Sequence, residues 1–350
     1  MLVKSFEYDS YMWRLDTIYF NLLNLIVGEN AVGKSKSLKA LVEVAKFING
    51  SFSTDMNIVH KCRIVFQDPD GKELIYSYHG SIEEILEESM IYDGDIVISR
   101  NQHQSKIKKD SVNPPKNKLV IQSQRDTNKY PEFELVMSWA EHTRGFSFSD
   151  LSSSKPYTIP SMFSEGMDFS ELFMKLDEEK RKFVKDKMCE LGYKVKKIDP
   201  LKIDKFTLVT LEEEGVSVPL FSPSMSNGML RVFYIFTYMA YIANAEGAKT
   251  FLVDDLGEGL DYSRSSKLSK IMFNYCEEND IQLIVTSNDS FLMNAIDLNN
   301  WIILRRKGKK VTTYCQITHP EMFNKFRRMG LNNFDMLSTD FMEKFLSEEK

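Results

Sequence analysis

Residues 28–35 read Gly-Glu-Asn-Ala-Val-Gly-Lys-Ser, a spacing typical of loops that bind phosphate groups. Gly28 and Gly33 would let the backbone wrap closely around a phosphate, so that its N–H groups face the anion. Lys34 would supply a positive charge for the β- and γ-phosphates of a nucleoside triphosphate, and the Ser35 hydroxyl can hold Mg²⁺. The motif therefore predicts a site for ATP and Mg²⁺.

The residues on either side supply the elements that such a loop needs. Residues 22–27 form an almost wholly apolar run, typical of a strand buried on both faces. Apolar residues then recur at helical spacing over residues 38–45, and Gly50 is suited to end that helix. A strand, a phosphate-binding loop and a helix are thus expected in this order.

A second group of polar residues lies in the last third of the chain. Ser226 is a natural N-cap for a helix that continues to residue 245 and is apolar almost all round, hence buried. An apolar strand at 250–253 is followed directly by Asp254 and Asp255. Because the motif at 28–35 is also present, this strand end predicts carboxylates beside the phosphates.

Two further segments extend this group. Gly-Leu-Asp at 259–261 follows the carboxylates, and a second apolar strand at 281–286 ends in Ser-Asn-Asp, which includes Asn288. We interpret Arg231 and Glu258 as structural residues.

The composition limits the class of protein. An apolar fraction of 43% is enough for a substantial core, and a net charge of −5 argues against a general nucleic-acid coat. The four cysteines are scattered without a C-x-x-C pair, which favours reduced thiols over disulfides or a zinc site. Without a leader pattern or an apolar run of the ~20 residues that span a bilayer, we expect a soluble cytoplasmic protein with no membrane contact.

The rest of the chain predicts a largely antiparallel sheet next to the nucleotide strand. The expected strands cover residues 2–8, 13–20, 58–66, 73–78, 82–86, 96–99, 205–211, 216–221, 301–305 and 310–315. Residues 101–118 carry five lysines and predict a mobile loop, and residues 169–191 predict one charged helix. The lysine loop and the basic hairpin tip at 305–310 leave nucleic-acid binding open beside ordinary solvated turns.

The order of the motifs resembles that of ABC-type ATPases of the SMC, RecF and OLD group, over roughly residues 1–320. It looks most like compact bacterial "AAA family ATPases" of phage-defence and toxin-type operons. The resemblance implies an α/β fold, namely an ABC-type P-loop ATPase head with a mixed sheet core, an antiparallel β subdomain and a short helical insertion. It divides the chain into a phosphate-loop lobe (about 1–120), a helical insertion (about 130–200), a signature lobe (about 201–320) and a helical tail (321–350).

The resemblance also implies roles for individual residues. The nucleotide-binding residues would be Gly28, Asn30, Gly33, Lys34, Ser35, Ser226 and Gly228. Ser35 and Asp254 would support Mg²⁺, while Asp255 stands where a catalytic glutamate is usual and Asn288 where a switch histidine is usual. The segment 259–261 would cross a dimer interface. A metal-sensing glutamine is expected in the middle region, with Gln122 and Gln124 as candidates.

In the family, the signature residues that match Ser226 and Gly228 contact the γ-phosphate held by the partner subunit; here Met225 replaces the usual leucine before them. The implied function is ATP-driven homodimerisation of two heads that switches a partner or effector protein. Because Asp255 and Asn288 replace the usual residues, slow hydrolysis is expected. A DNA-sensing repair-type ATPase and a nucleotide-bound scaffold with little turnover remain as alternatives.

Overall fold

Five consecutive buried residues make Leu23–Val27 a central strand, covered on both faces. A computed structural model describes residues 1–51, 58–147, 169–203, 206–221, 224–243 and 247–348. The strands are β1 (Leu2–Ser10), β2 (Trp13–Tyr19), β3 (Leu23–Val27), β4 (His60–Gln67), β5 (Glu73–Gly80), β6 (Ile85–Tyr92), β7 (Asp95–Arg100), β8 (Ser105–Ile107), β9 (Asp110–Val112), β10 (Arg144–Ser147), β11 (Val195–Ile203), β12 (Phe206–Glu213), β13 (Leu220–Phe221), β14 (Thr250–Asp254), β15 (Gln282–Thr286), β16 (Trp301–Lys307) and β17 (Lys310–Cys315). The helices are α1 (Lys34–Asn49), α2 (Val120–Ser123), α3 (Pro131–His142), α4 (Phe169–Lys175), α5 (Glu178–Glu190), α6 (Asn227–Ile242), α7 (Tyr262–Glu278), α8 (Ser290–Ala295), α9 (Pro320–Arg328), α10 (Asp335–Ser338) and α11 (Phe341–Glu348).

One 14-stranded sheet runs through the molecule in the order β10-β14-β15-β3-β16-β17-β2-β1-β4-β5-β6-β7-β8-β9. The first five strands are parallel to one another. From β2 onward every neighbouring pair is antiparallel. The mixed core and the antiparallel part are therefore confirmed, and they form one continuous sheet. A separate sheet contains β11, β12 and β13.

Alternate residues of the central strand belong to two different cores. Leu25 packs into the core on the side of α6 and α7, whereas Ile26 packs into the core on the side of α1 and α3. The apolar helix α6 is buried almost throughout, as its composition predicts. Because close-packed cores cover both faces of the parallel strands, the positions of the loops that leave these strands are fixed.

Several expected elements differ from the structure. The strand expected at 82–86 is β6, which begins at Ile85, and the expected loop at 101–118 contains the hairpin β8–β9, which extends the sheet. The helix expected at 169–191 is two helices, because Asp177 caps a new helix by accepting a hydrogen bond from Lys180 N. The strand expected at 205–211 pairs mainly with β11, which local patterning did not indicate, and the strand expected at 216–221 is reduced to β13.

A buried carboxyl group joins the antiparallel strands to α2. Glu88 is 1% exposed and accepts hydrogen bonds from Tyr76 Oη and from the backbone N–H groups of Val120 and Ile121. Arg100 lies close enough to stabilise the carboxylate, but burial dominates and raises the pKa of Glu88 to about 7. The protonated form is therefore favoured more in the folded protein than in the unfolded chain.

We expect this carboxyl group to make stability depend on pH. Because the folded pKa is raised from 4.5 to about 7, its stabilising contribution is complete below about pH 4.5 and is lost as the pH rises through 7. Urea unfolding should show that the free energy of unfolding of the parent, relative to Glu88→Gln, falls by up to about 3 kcal/mol between pH 5 and pH 8. The control variant is Glu87→Gln, which makes the same substitution at the exposed residue next to Glu88. Parallel pH profiles for the parent and Glu88→Gln would contradict the prediction.

Candidate nucleotide-binding and hydrolysis site

The carboxyl ends of β3, β14 and β15 lie side by side, because these strands are adjacent and parallel. β14 ends at Asp254, β15 ends at Thr286, and β3 leads into the loop 28–33. Open α/β sheets bind their ligands at this edge. The residues that the sequence placed far apart are thereby brought to one edge of the sheet.

Glycine is needed at the start of the loop for space as well as for conformation. Gly28 has φ +148°, and a Cβ built on it would lie 2.6 Å from the carbonyl oxygen of Leu304 on β16. Gly33, with φ +113°, is the N-cap of α1. The loop can therefore lie directly against the sheet, and α1 begins with its N-terminus at the sheet edge, where backbone N–H groups favour an anion.

Lys34 lies inside this loop. Its ammonium group donates hydrogen bonds to the carbonyl oxygens of Gly28 and Glu29, at 2.7 and 3.0 Å. Burial lowers the pKa of Lys34, while the carboxylates of Asp255 and Asp254 act in the opposite direction. A buried ammonium group beside two carboxylates is suited to bind a phosphate group, which would add negative charge at this point.

Asp254 is held by the neighbouring strand and by α1. The hydroxyl of Thr286 donates to Asp254 Oδ1 at 2.6 Å, and the Ser35 side chain is also hydrogen-bonded to this carboxylate. Burial raises the pKa of Asp254, although these hydrogen bonds and Lys34 oppose the rise. A hydroxyl and a carboxylate in contact are hard oxygen ligands of the kind that Mg²⁺ prefers, so the residues present fit this ion.

Asp255 adopts a left-handed backbone conformation, with φ +51°. Its N–H donates to Thr286 Oγ1 at 2.8 Å, so one threonine positions both carboxylates. Burial raises the pKa of Asp255, and so do Asp254 and Glu258. Aspartate occupies left-handed conformations far more readily than residues with longer side chains, which gives a backbone reason for aspartate, and not glutamate, at this position.

The N-terminus of α6 lies against the loop that follows Asp255. Ser226 is the N-cap of α6 and accepts a hydrogen bond from Met229 N at 3.3 Å, as predicted. A Cβ built on Gly228 would lie 2.9 Å from the carbonyl oxygen of Gly259, so helix and loop are in close contact. Residues 255–259 thus connect the segment that carries Ser226 and Gly228 with the two carboxylates at the end of β14.

An ion pair reinforces this junction. Arg231, on α6, donates to the backbone carbonyl of Glu258, and its guanidinium group lies 3.3 Å from the Glu258 carboxylate. Arg231 also lies close enough to Asp255 to lower the pKa of that carboxyl group. Our interpretation of Arg231 and Glu258 as structural residues agrees with these contacts, which in addition place a positive charge beside the second carboxylate.

The remaining predicted residues differ in their surroundings. Asn30 and Asn288 are exposed, the first in the phosphate loop and the second just beyond the end of β15. Gln122 is wrong as a metal-sensing residue, because its amide donates to the carbonyl oxygens of Phe47 and Ile48. These carbonyls belong to the last turn of α1, roughly 20 Å along the helix axis from Lys34.

Three of the ten basic side chains in the two basic segments, 101–118 and 305–310, form ion pairs within the chain. In the hairpin tip, Arg305 pairs with Glu343 and Lys310 pairs with Asp16. In the lysine segment, Lys108 pairs with Glu132. These internal pairs reduce the positive charge that either segment can offer to a phosphate backbone.

Two neighbours of the phosphate loop could not be recognised from the sequence. Trp13, which is 1% exposed, packs beside Gly33, and the ammonium group of Lys36 lies 5.2 Å from the centre of its ring. The C-terminal helices α10 and α11 line a cavity of about 110 Å³ together with Gly28 and Glu29. Both are long-range contacts without a local pattern to indicate them.

A phosphate loop directly after a buried strand, with two aspartates at the end of a parallel strand next but one in the sheet, is the arrangement typical of P-loop ATPases. Residues 101–294, more than half of the chain, match the family described as "AAA domain, putative AbiEii toxin, Type IV TA system". The chain belongs to this family. The matched segment includes Ser226, Asp254 and Asn288, and the phosphate loop precedes it. A comparison with curated proteins found no match.

Solved structures with a similar fold include two SMC heads. An SMC head bound to the C-winged helix domain of ScpA is 12% identical, with a TM-score of 0.58, over 92% of this chain and 100% of that one. An SMC head with an extended coiled coil, bound to the C-terminal domain of ScpA from Pyrococcus furiosus, is 10% identical, with a TM-score of 0.53, over 93% and 99% of the two chains. The fold is therefore that of an SMC head. The family match makes the protein an AAA-type ATPase. No helix in the described ranges is long and apolar enough to cross a membrane.

Proposed function

We propose that this protein binds ATP with Mg²⁺, closes into a head-to-head homodimer, and hydrolyses ATP slowly to switch a partner or effector protein. The observation that carries the proposal is the contact of Gly228 with the loop that follows Asp255. It means that two half-sites, the phosphate loop with its carboxylates and the N-terminus of α6, are joined on one molecule. In a dimer with a two-fold axis, the phosphate loop of each copy can face the N-terminus of α6 of the other copy.

Within one copy, each residue has a distinct task. Lys34 would leave the loop carbonyls and bind the β- and γ-phosphates, while the N-terminus of α1 binds them through backbone N–H groups. Mg²⁺, when bound, would neutralise phosphate charge, and Ser35 and Asp254 are the residues that would hold it. Asp255 would orient or deprotonate the attacking water, and exposed Asn288 would donate a hydrogen bond to the γ-phosphate.

The expected slow turnover rests on two side chains. Asp255 is one methylene shorter than the usual glutamate, so its oxygens are drawn back by about an ångström, a displacement that can reduce the rate on the order of a hundredfold. Asn288 cannot become cationic as histidine can. Both features leave ATP binding intact and weaken the step after it, which favours a long-lived ATP-bound dimer.

The partner and setting follow from the comparisons by analogy. The family description refers to a toxin of a type IV toxin–antitoxin system, and both SMC heads were solved bound to a ScpA domain. We propose that this chain likewise acts with a second protein, in a cytoplasmic defence or toxin-type system, away from membranes. Co-purification with the products of neighbouring genes, with and without ATP, would identify such a protein.

Dimerisation is tested by replacing Ser226 with arginine. Because Ser226 lies at the exposed N-terminus of α6, we expect Ser226→Arg to block ATP-dependent dimerisation, measured by light scattering, while the monomer still binds ATP. The control is Asp177→Arg, which removes the N-cap of α5 in the same way. An oligomeric state that responds neither to ATP nor to Ser226→Arg would contradict the proposed function.

The two alternatives have less support. A DNA-sensing ATPase would need free positive charge, and the internal ion pairs of Arg305, Lys310 and Lys108 reduce it. A nucleotide-bound scaffold would not need both carboxylates positioned by Thr286 beside Lys34. These observations favour the slowly hydrolysing switch.

A further inference from the structure

Two exposed aromatic side chains lie in contact with each other near the candidate site. The rings of Tyr262 and Phe291 meet edge to face, with their centres 4.3 Å apart. Tyr262 is nevertheless 62% exposed and Phe291 is 50% exposed. Aromatic rings in this arrangement attract each other, yet each still leaves a large apolar area in water. We propose that this aromatic pair is part of the contact surface between two copies of this chain in the ATP-bound dimer, an inference that rests on the proposed function.

The position of the aromatic pair connects it with both half-sites. Tyr262 begins α7 directly after the loop that runs from Asp255, beside Lys34, to Gly259, beside Gly228. Phe291 lies three residues beyond Asn288, in the first turn of α8. The aromatic pair therefore flanks the loop that links the two half-sites, and a partner that covered both half-sites would pass over it.

The surroundings of the aromatic pair resemble the rim of a protein interface. Asp261 pairs with Arg264 at 3.0 Å, and the guanidinium group of Arg264 stacks over Tyr193 at 4.3 Å. Behind the pair, Ser265 donates a hydrogen bond to Asp289. Charged groups with partners inside the chain therefore lie next to both exposed rings in the sequence. Interfaces whose aromatic residues contribute most of the affinity likewise combine an apolar centre with polar groups at its edge.

Charge complementarity indicates a second copy as the partner. The phosphate-loop end of the site carries exposed cations, Lys36 and Arg306, which are close enough to influence each other. The other end exposes the Glu258 carboxylate, whose partner Arg231 is buried, and the Asp261 carboxylate, which is more exposed than its partner Arg264, so that carboxylates face outward there. A two-fold axis between these ends would bring each positive end opposite a negative end and would place the aromatic pairs of both copies between them.

The test measures the dissociation constant of the dimer in a non-hydrolysable ATP analogue by analytical ultracentrifugation. We expect Tyr262→Ala and Phe291→Ala each to raise it at least tenfold, and Tyr262→Phe to raise it by less than threefold, because the ring is retained. Nucleotide affinity of the monomer should not change in any of these variants. The control is Tyr241→Ala, an exposed tyrosine at the far end of α6, which should leave the dimer unaffected.

The outcomes separate this inference from the proposed function. If the parent dimerises with the analogue but both alanine variants dimerise equally well, the inference is wrong and the proposed dimer stands. If the parent stays monomeric with the analogue while binding it, both are wrong. Loss of dimerisation in Tyr241→Ala as well would also overturn the inference, because the effect would then not be specific to the aromatic pair.

Discussion

Replacing Lys34 by alanine should weaken ATP binding by roughly 10- to 150-fold, which corresponds to about 1.5–3 kcal/mol for a charge-assisted hydrogen bond. The ammonium group lies in the loop between two carbonyl oxygens and close to both carboxylates. Isothermal titration calorimetry with MgATP measures the effect directly. The fold should remain intact, because the hydrogen bonds that the Lys34 ammonium group donates go to carbonyl oxygens of the loop that the nucleotide would reorganise.

The matched control is Lys39→Ala, an exposed lysine further along α1. It removes the same charge from the same helix but lies beyond the first turn, where the helix N-terminus acts on an anion. Its ATP affinity should stay within about threefold of the parent, the range of a screened surface charge. Equal affinities of Lys34→Ala and the parent would show that the assignment of the phosphate site is wrong.

The second large effect is expected on hydrolysis. Asp255→Asn should reduce the steady-state rate of ATP hydrolysis at least a hundredfold, because an amide cannot accept the proton of the attacking water. Asparagine tolerates the left-handed backbone at this position as well as aspartate does, so the variant should fold and bind ATP like the parent. Phosphate release at saturating MgATP gives the rate, and calorimetry gives the affinity.

The pH dependence of ATP hydrolysis by the parent provides a second test of the role of Asp255. Burial, Asp254 and Glu258 raise the pKa of Asp255, so the hydrolysis rate should fall on acidification at a higher pH than an ordinary aspartate would allow. Asp255→Asn should lose this pH dependence along with the activity. Hydrolysis by Asp255→Asn at the parent rate, or many turnovers per second by the parent without a partner, would contradict the proposed role and the expected slow turnover.

The sequence by itself was sufficient for the elements that local chemistry determines. Gly28, Gly33, Lys34 and Ser35 are recognisable because a phosphate loop needs those residue types at that spacing. Continuous apolar runs predicted the buried strands that end at Asp254 and Thr286, since a strand covered on both faces has no polar alternation. The grouping of these residues in one site was implied by the order of the motifs and by the resemblance to ABC-type ATPases.

The tertiary structure decided what depends on contacts between distant segments. Thr286 looks like any strand residue, yet it positions both Asp254 and Asp255 because β14 and β15 are neighbours. The pairing of β11 with β12 and the packing of the C-terminal helices against the phosphate loop likewise have no local signal. Hydrophobic periodicity specifies which face of an element is buried, but not against which partner. The choice of partner comes from the simultaneous packing of both faces of the sheet, which only the complete fold determines.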